Sequence, residues 1–489
     1  MLRVLENDVT SKVELRVKLN DFNYRYDVYQ MINIFLPFKN IVFQDENPDF
    51  EVIIEENYVM VKSESMDRIF KFEDELKLKQ EVKKSVFKYF EELTGKFMPW
   101  GTLIGIRPSK IAMSMLIEGV SEEDIIKYFK NVYISSKEKA ELCIEVAKRE
   151  MKYIKPKNEK VSIYIGMPFC PTRCLYCSFA ANPIVGFKKE IIEDYLNALK
   201  KEIEAISSYL KKRNLKLETL YFGGGTPTSI NDDQFEDLMK YIHKFFIQDF
   251  NVKEVTVECG RPDSITYKKL ETMKKYEVTR ISINPQTMSD NTLKLIGRNH
   301  NSCDILKVFK LARELQFKDI NMDIIVGLPG EKLSDVQKTC SHIKELKPDS
   351  FTVHGLSVKR ASRLYENIIN NIKYELATQN ELNLMFKETE LLAQDLQMKP
   401  YYMYRQKNMV GNMENIGYSK EGKESIYNIE MMEDKQTVVA LGADAVTKVV
   451  YLESGKIERF GNVKDVKEYI NRINEMIEKK IELLDNLYV

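Results

Sequence analysis

Cys170-Pro171-Thr172-Arg173-Cys174-Leu175-Tyr176-Cys177 is the stretch on which the reading of this chain turns. Its three cysteines follow the spacing C-x3-C-x2-C. A [4Fe–4S] cube is held by cysteine thiolates, and one short loop with this spacing can wrap three of its corners. The fourth iron then stays open for a substrate or cofactor to bind. A closed zinc site asks for four nitrogen or sulfur ligands, usually from paired C-x2-C clusters. No second pair and no nearby histidine exist here. Zinc, or chance spacing, is the alternative. The other cysteines, Cys143, Cys259, Cys303 and Cys340, fall on separate expected elements.

Working outward, the loop directly follows an apolar stretch that reads as a strand. Strand patterns cover 161–166, 217–222, 252–258, 279–284, 319–326 and 350–356, and amphipathic helical stretches such as 188–210 and 232–246 lie between them. Six strands alternating with helices imply parallel pairing through right-handed crossovers. An open sheet and a barrel both satisfy that periodicity. In a barrel, chemistry gathers beyond the C-terminal strand ends, where the cysteine loop would lie. Gly223-Gly224-Gly225-Thr226-Pro227-Thr228 ends the second strand. Glycines there let backbone approach a ligand and free N–H groups for a carboxylate or amine. Glu258 ends the third strand and Gln286 the fourth, with Arg298 and His300 in the region after it. Asp323 lies in the apolar fifth strand, where a bare charge is costly and calls for a partner or a ligand.

The chain has 74 basic and 74 acidic residues, so no basic excess favours nucleic acid. No apolar run reaches the roughly 18 residues of a membrane span. The first residues lack the apolar region of a signal peptide. Seven cysteines in 489 residues make no disulfide scaffold, and a reduced, cytoplasmic setting is expected. Residues 1–155 read as an α+β unit. Val13, Leu15, Val17 and Leu19 alternate as a strand, a helix runs from about Tyr26 to Phe35, a hairpin spans 50–61, and a helix spans 77–93. Gly105 to Lys110 is a turn with two cations, Arg107 and Lys110, and the chain from there to Tyr153 is mostly helical. Residues 155–160 form a polar linker. After 374 come a long helix over 375–398, a strand over 400–404, an apolar segment over 438–442 and a charged final helix, which reads as an accessory domain closing the open side of a barrel.

C-x3-C-x2-C just after a strand resembles the signature of radical S-adenosylmethionine (radical SAM) enzymes. The resemblance implies that the amino and carboxylate groups of SAM chelate the open iron, and that reductive cleavage yields a 5'-deoxyadenosyl radical. It favours an α/β fold, a partial (β/α)6 radical SAM barrel over 161–373. An N-terminal α+β domain (1–155) and a C-terminal accessory α+β domain (374–489) flank it. With the long N-terminal unit, the Gly105–Lys110 turn and Tyr404-Arg405-Gln406-Lys407-Asn408-Met409-Val410-Gly411-Asn412, the pattern is similar to the HemZ-type branch of the oxygen-independent coproporphyrinogen III dehydrogenases (oxidases). Carried over residue by residue, the resemblance makes Tyr164, Gly224, Glu258 and Val446 contacts of the cluster-bound SAM. It makes Tyr176, Gly225, Thr226, Gln286, Arg298 and Asp323 contacts of a second SAM. His354 falls at another such position with a different residue type. Tyr164, Glu258, Gln286, Arg298 and Asp323 form the expected catalytic set.

The implied reaction takes a hydrogen from the β-carbon of a propionate. Carbon dioxide and an electron leave, and a vinyl group remains. Two such events turn coproporphyrinogen III into protoporphyrinogen IX, a step of porphyrin and haem biosynthesis. A tetrapyrrole and an electron donor such as flavodoxin or ferredoxin are the implied partners of a monomer. A tetra-anionic substrate needs cations at the mouth; Arg107, Lys110, Arg360, Arg363 and Arg405 are the candidates. One position departs from the family. Its dehydrogenases carry a further cysteine where this chain has Phe179, and Phe resembles the related haem-chaperone group. Haem carriage, or another radical SAM reaction on a tetrapyrrole, is the alternative.

Overall fold

Leu15, Val17 and Leu19 are buried on one face of β1 (Glu14–Leu19), while Arg16 and Lys18 lie on the other, the period-two pattern of a strand with one face on a core. The computed structural model describes residues 14–37, 39–72, 76–104, 107–406 and 409–488. Val13, Gly105, Ile106, Lys407 and Asn408, parts of the expected first strand, turn and motif, lie outside the described residues. β1 belongs to a five-stranded sheet with β2 (Asn40–Phe43), β3 (Phe50–Ile54), β4 (Tyr58–Ser63) and β5 (Asp67–Lys71), in the order β2-β1-β3-β4-β5. β1 runs parallel to β2 and β3, and β3 to β5 form an antiparallel meander. Helices Arg25–Phe35 and Leu78–Thr94 supply the aromatic core, where Phe35 meets Phe87 edge-on with ring centroids 5.0 Å apart. Three more helices, Pro108–Ile117, Glu122–Tyr133 and Lys137–Tyr153, lead to the second sheet.

β6 (Lys160–Met167) carries the chain into the cysteine loop, which β7 (Phe169–Cys170) and β8 (Asn182–Pro183) close as a short parallel pair. β9 (Lys216–Gly224), β10 (Glu254–Gly260), β11 (Arg280–Ile283), β12 (Ile320–Val326) and β13 (Ser350–Gly355) follow, alternating with helices. They pair in parallel in chain order from β6, so all six expected strands are present. The sheet does not stop at 374. β14 (Lys399–Tyr404) and β15 (Asn415–Ser419) extend the β13 edge antiparallel. β16 (Thr437–Leu441) lies parallel to β6 at the other edge, and β17 (Val446–Val450) and β18 (Ile457–Gly461) continue it. One sheet of eleven strands results. The C-terminal residues thus prolong both edges of the barrel sheet rather than stand apart from it. The helix expected over 375–398 spans Gln379–Asp395, because Thr378 and Glu381 cap its start reciprocally and Gln397 turns left-handed after it.

Alternation gives this sheet two unlike faces. Val161, Ile163 and Ile165 are fully buried in the apolar core. Their neighbours Ser162 and Tyr164 share the opposite face with Thr219, Tyr221, Glu254, Glu258, Arg280, Asp323 and His354 from the other strands. At the N-terminal end of the strands, the helix Ile426–Glu433 plugs this polar interior. The Glu254 carboxylate accepts from Ser425 Oγ at 3.1 Å and from the N–H groups of Ile426 at 2.7 Å and Tyr427 at 3.2 Å. A carboxylate there satisfies the free donors of a helix N-terminus and suits its dipole. The N-terminal unit docks through buried charge: Trp100 Nε1 and Lys139 Nζ both donate to Glu414, and Arg149 pairs with Glu424.

Candidate active site

The cysteine loop is held in place by its neighbours. Leu175 N–H donates to Ile296 O at 3.0 Å, Thr172 Oγ1 to Gly297 O at 2.7 Å, and Leu364 N–H to Leu175 O at 2.8 Å. The loop turns Cys170, Cys174 and Cys177 into one cavity of about 400 Å³ at the C-terminal strand ends. Cys143, Cys259 and Cys340 are buried elsewhere in the core, and Cys303 is exposed. Thr226 Oγ1 lies 3.4 Å from Cys170 Sγ and Arg261 Nη1 4.0 Å from Cys174 Sγ. Donors placed on sulfur are what an anionic iron–sulfur group asks for. Among the described residues no three His, Cys, Asp or Glu side chains gather as ligands of a single ion.

The glycine turn works differently from the expectation. The N–H groups of Gly225 and Thr226 are already given to Met167 O at 2.6 Å and Phe169 O at 2.8 Å. They stitch β9 to the strand entering the cysteine loop. A Cβ on Gly225 would sit 2.6 Å from Phe169 O and 3.0 Å from Cys170 Sγ, and one on Gly223 would sit 2.8 Å from Glu258 Oε2. Gly224 adds a left-handed φ of 98°. The glycines are therefore required by close approach, and they leave a shallow cradle beside the thiols.

Tyr164, Tyr176, Gly224, Gly225, Thr226, Glu258, Gln286, Arg298 and Asp323 all line the same cavity, as does His354. Tyr221 OH donates to Glu258 Oε2 at 3.2 Å, and Asn284 Nδ2 stands 3.4 Å from Oε1. Asn321 Nδ2 donates to Asp323 Oδ1 at 2.7 Å, and His354 Nε2 lies 3.8 Å from Oδ2, beyond hydrogen-bond distance. Arg298 donates to Asn284 O at 2.6 Å and to Tyr176 OH at 3.3 Å, and its Nε is buried with no partner. Gln286 holds a φ of 67°, unusual for a residue with a side chain.

Comparisons with known proteins agree with this geometry. A family model described as the radical SAM superfamily matches residues 164–343. The oxygen-independent coproporphyrinogen-III oxidase-like protein HemZ of Bacillus subtilis is 40% identical over 398 residues, covering 81% of this chain and 79% of that protein. The chain belongs to this radical SAM family. The haem chaperone HemW of Bacillus subtilis is 30% identical over 64% of the chain and 76% of its own length. The solved coproporphyrinogen III oxidase HemN of Escherichia coli shares the fold, with a TM-score of 0.51 at 19% identity over 67% of this chain and 72% of that one. Radical SAM proteins use a [4Fe–4S] cluster and SAM, and the three thiols with their glycine cradle fit that pair.

The electrostatics of this radical SAM site separate its two interior carboxyls. Burial, with the nearby Asp323 charge, pushes Glu258 up to about 7. Burial also acts on Asp323, but His354, Asn321 and Thr352 outweigh it and hold Asp323 below the usual carboxylate range. Burial pushes the Cys170 thiol up to about 12 and raises Cys177 as well; metal coordination reverses that by binding the thiolate.

Four sequence expectations are corrected. Val446 does not line the cavity; it opens β17, 47% exposed. Arg107 pairs with Asp434 and Lys110 Nζ donates to Glu433 O, so both fasten the N-terminal helices to the barrel. Arg405 is buried over the Trp100 ring and donates to Leu103 O and Asn412 O. These three cations are therefore not at the mouth. Arg360 is exposed on the loop after β13, and Arg363 is exposed at the start of the helix Arg363–Ile369. His300 is buried beside Asp263 at 3.4 Å, outside the cavity lining. Sequence reasoning missed Arg261 and the tyrosines of the interior wall, Tyr221, Tyr402 and Tyr404. Tyr221 was detectable, because it alternates with Thr219 and Gly223 on the inner face. Arg261 follows a β-bulge at Gly260 that the pattern does not announce.

Proposed function

We propose that this protein is a coproporphyrinogen III dehydrogenase, which oxidatively decarboxylates two propionates of its substrate to give protoporphyrinogen IX. The observation that carries the reading is a single cavity in which three thiols face two separate polar groups, one around Glu258 and one around Tyr176, Gln286 and Arg298. A cluster with SAM bound supplies a 5'-deoxyadenosyl radical for hydrogen abstraction. Cys170, Cys174 and Cys177 would hold the cluster, and Thr226 and Arg261 would donate to its sulfurs. Tyr164, Gly224 and Glu258 would border the first SAM. A carboxyl with a pKa near 7 ionises when an ammonium group arrives beside it. Tyr176, Gly225, Thr226, Gln286, Arg298 and Asp323 would border a second SAM. The stacked rings of Tyr164, Tyr221 and Tyr427, 4.6 Å apart for the last two, would give the cavity an apolar floor. In this reading residues 161–373 are the catalytic unit, residues 1–155 and 374–489 support it, and a flavodoxin or ferredoxin delivers electrons to a cytoplasmic monomer.

Phe179, together with the 30% identity to a haem chaperone, supports haem carriage as a second reading. One experiment separates the two. Anaerobically reconstituted protein with reductant, SAM, an electron acceptor and coproporphyrinogen III should release protoporphyrinogen, with labelled β-hydrogen recovered in deoxyadenosine. Stoichiometric haem binding with no decarboxylated product would replace the enzyme by a carrier.

A further inference from the structure

We propose that Lys359, with Ser357 Oγ beside it in the chain, anchors a carboxylate of the substrate at the cavity rim, and that Phe179 is the apolar face on which the substrate's ring packs. The proposal rests on the tetrapyrrole reading above and adds the residues that would recognise it. Among the described residues, three lysine or arginine side chains line the cavity, and two are already committed. Arg261 is held by Asp263 and Thr172, and Arg298 by Asn284 O and Tyr176 OH. Lys359 is half-buried, and among the described residues no carboxylate pairs with it. Its ammonium stands 5.8 Å from the centroid of the Phe179 ring. Ser357 Oγ lines the same cavity and is buried with no hydrogen-bond partner. A sheltered ammonium and a buried hydroxyl, both unspent, are the complement of an incoming carboxylate.

The loop that carries them is fixed. Leu356 N–H donates to Val326 O at 2.9 Å, Ser362 Oγ to Lys359 O at 2.7 Å, and Arg173 of the cysteine loop to Ala361 O at 2.7 Å. Lys359 is thereby clipped to the segment that presents the thiols. Phe179, two residues beyond Cys177, is 66% exposed at the rim of a cavity it helps to line. A large ring so exposed beside an ammonium fits a flat apolar macrocycle with carboxylate arms. The same cation could instead meet the methionyl carboxylate of SAM, and the test distinguishes the two sources.

The test uses the reconstituted protein and measures binding of coproporphyrin III, its tetramethyl ester and SAM. Lys359→Met should weaken coproporphyrin III about tenfold, the effect of losing one charge-assisted contact. It should leave the ester and SAM unchanged, and Lys359→Arg should restore most of the loss. Phe179→Ala should weaken porphyrin and ester alike. Iron content confirms that each variant is loaded. Unchanged coproporphyrin III binding in Lys359→Met overturns the anchor while decarboxylation by the wild type keeps the proposed function. Weakened SAM with unchanged porphyrin assigns Lys359 to the cofactor and also overturns it. A wild type that neither binds coproporphyrin III nor decarboxylates its reduced form sinks both.

Discussion

The two ends of the barrel interior are built from the same kinds of residue and treat them in opposite ways. At the N-terminal end of the strands, most polar groups are spent on one another, though Tyr401 OH and Glu433 Oε1 are left without a partner. Glu254 takes three donors from the plugging helix, Arg280 reaches Asp319 and Ser350, and Glu430 accepts from Ser162 and Gln436. At the C-terminal end, Arg298 Nε, Arg173 Nε and Ser357 Oγ are buried without partners, and Glu258 is poised near neutrality. Buried polar groups are normally satisfied, because leaving one unpaired costs about 1–3 kcal/mol. The difference is one of placement: below, paired groups tie the plugging helix to the strands, and above, Arg298 and Ser357 bring unpartnered atoms to a cavity with room for a ligand.

The sharpest break between the ends is expected at the thiols. Changing Cys170, Cys174 or Cys177 singly to Ala should abolish the cluster, read as iron and sulfide per chain. Cys143→Ala, Cys303→Ala and Cys340→Ala should keep it, since none lines the cavity. At the opposite end, Glu254→Ala should cost about 4 kcal/mol in urea unfolding, because helix-end donors lose a buried charge. SAM affinity of the protein that remains folded should not move; a drop would erase the division between the ends.

Glu258 gives a third, pH-dependent contrast. Its folded pKa of about 7 lies above the ordinary glutamate value of 4.5, so the folded state holds the proton more tightly than the unfolded chain. That contribution is complete below about 4.5 and is lost as pH rises through about 7. Over that window the ligand-free wild type should lose roughly 3 kcal/mol relative to Glu258→Gln; parallel pH profiles of the two would show that the carboxyl is already paired. The smallest effect is in binding. Asp323→Ala and Glu258→Ala should each weaken SAM about tenfold, roughly 1.4 kcal/mol, with iron content intact. Equal SAM affinity in both variants would move these acids to the structural side of the comparison.

The barrel was largely legible because period and position coincide. Strand and helix patterns alternate six times, and Gly223, Glu258, Gln286 and Asp323 recur near successive strand ends, so one sheet brings them together. The edges were less legible. β16 is short and fully buried, and its apolar run Val438-Val439-Ala440-Leu441 carries no sign of which strand it will join. The role of the cations was least legible, since Arg107 and Arg405 differ from Lys359 only in what folds against them. A charge's partner is long-range information: Arg107 finds Asp434, 327 positions away. The glycine turn misled for a related reason, as its N–H groups are consumed by a neighbouring strand rather than by a ligand.

The pairing of β6 with β16 has a consequence for how the protein is made. Gln436 reaches Ser162 across 274 positions, so the strand that leads into the cysteine loop is the first of the barrel to leave the ribosome and the last to gain its outer neighbour. Contacts so distant in sequence form slowly. Until they form, β6 keeps an open edge and the thiols beside it remain within reach of solvent, oxidants and iron–sulfur donors. A chain truncated before β16 should therefore lose a reconstituted cluster faster than the full chain, read as iron retained per chain over time.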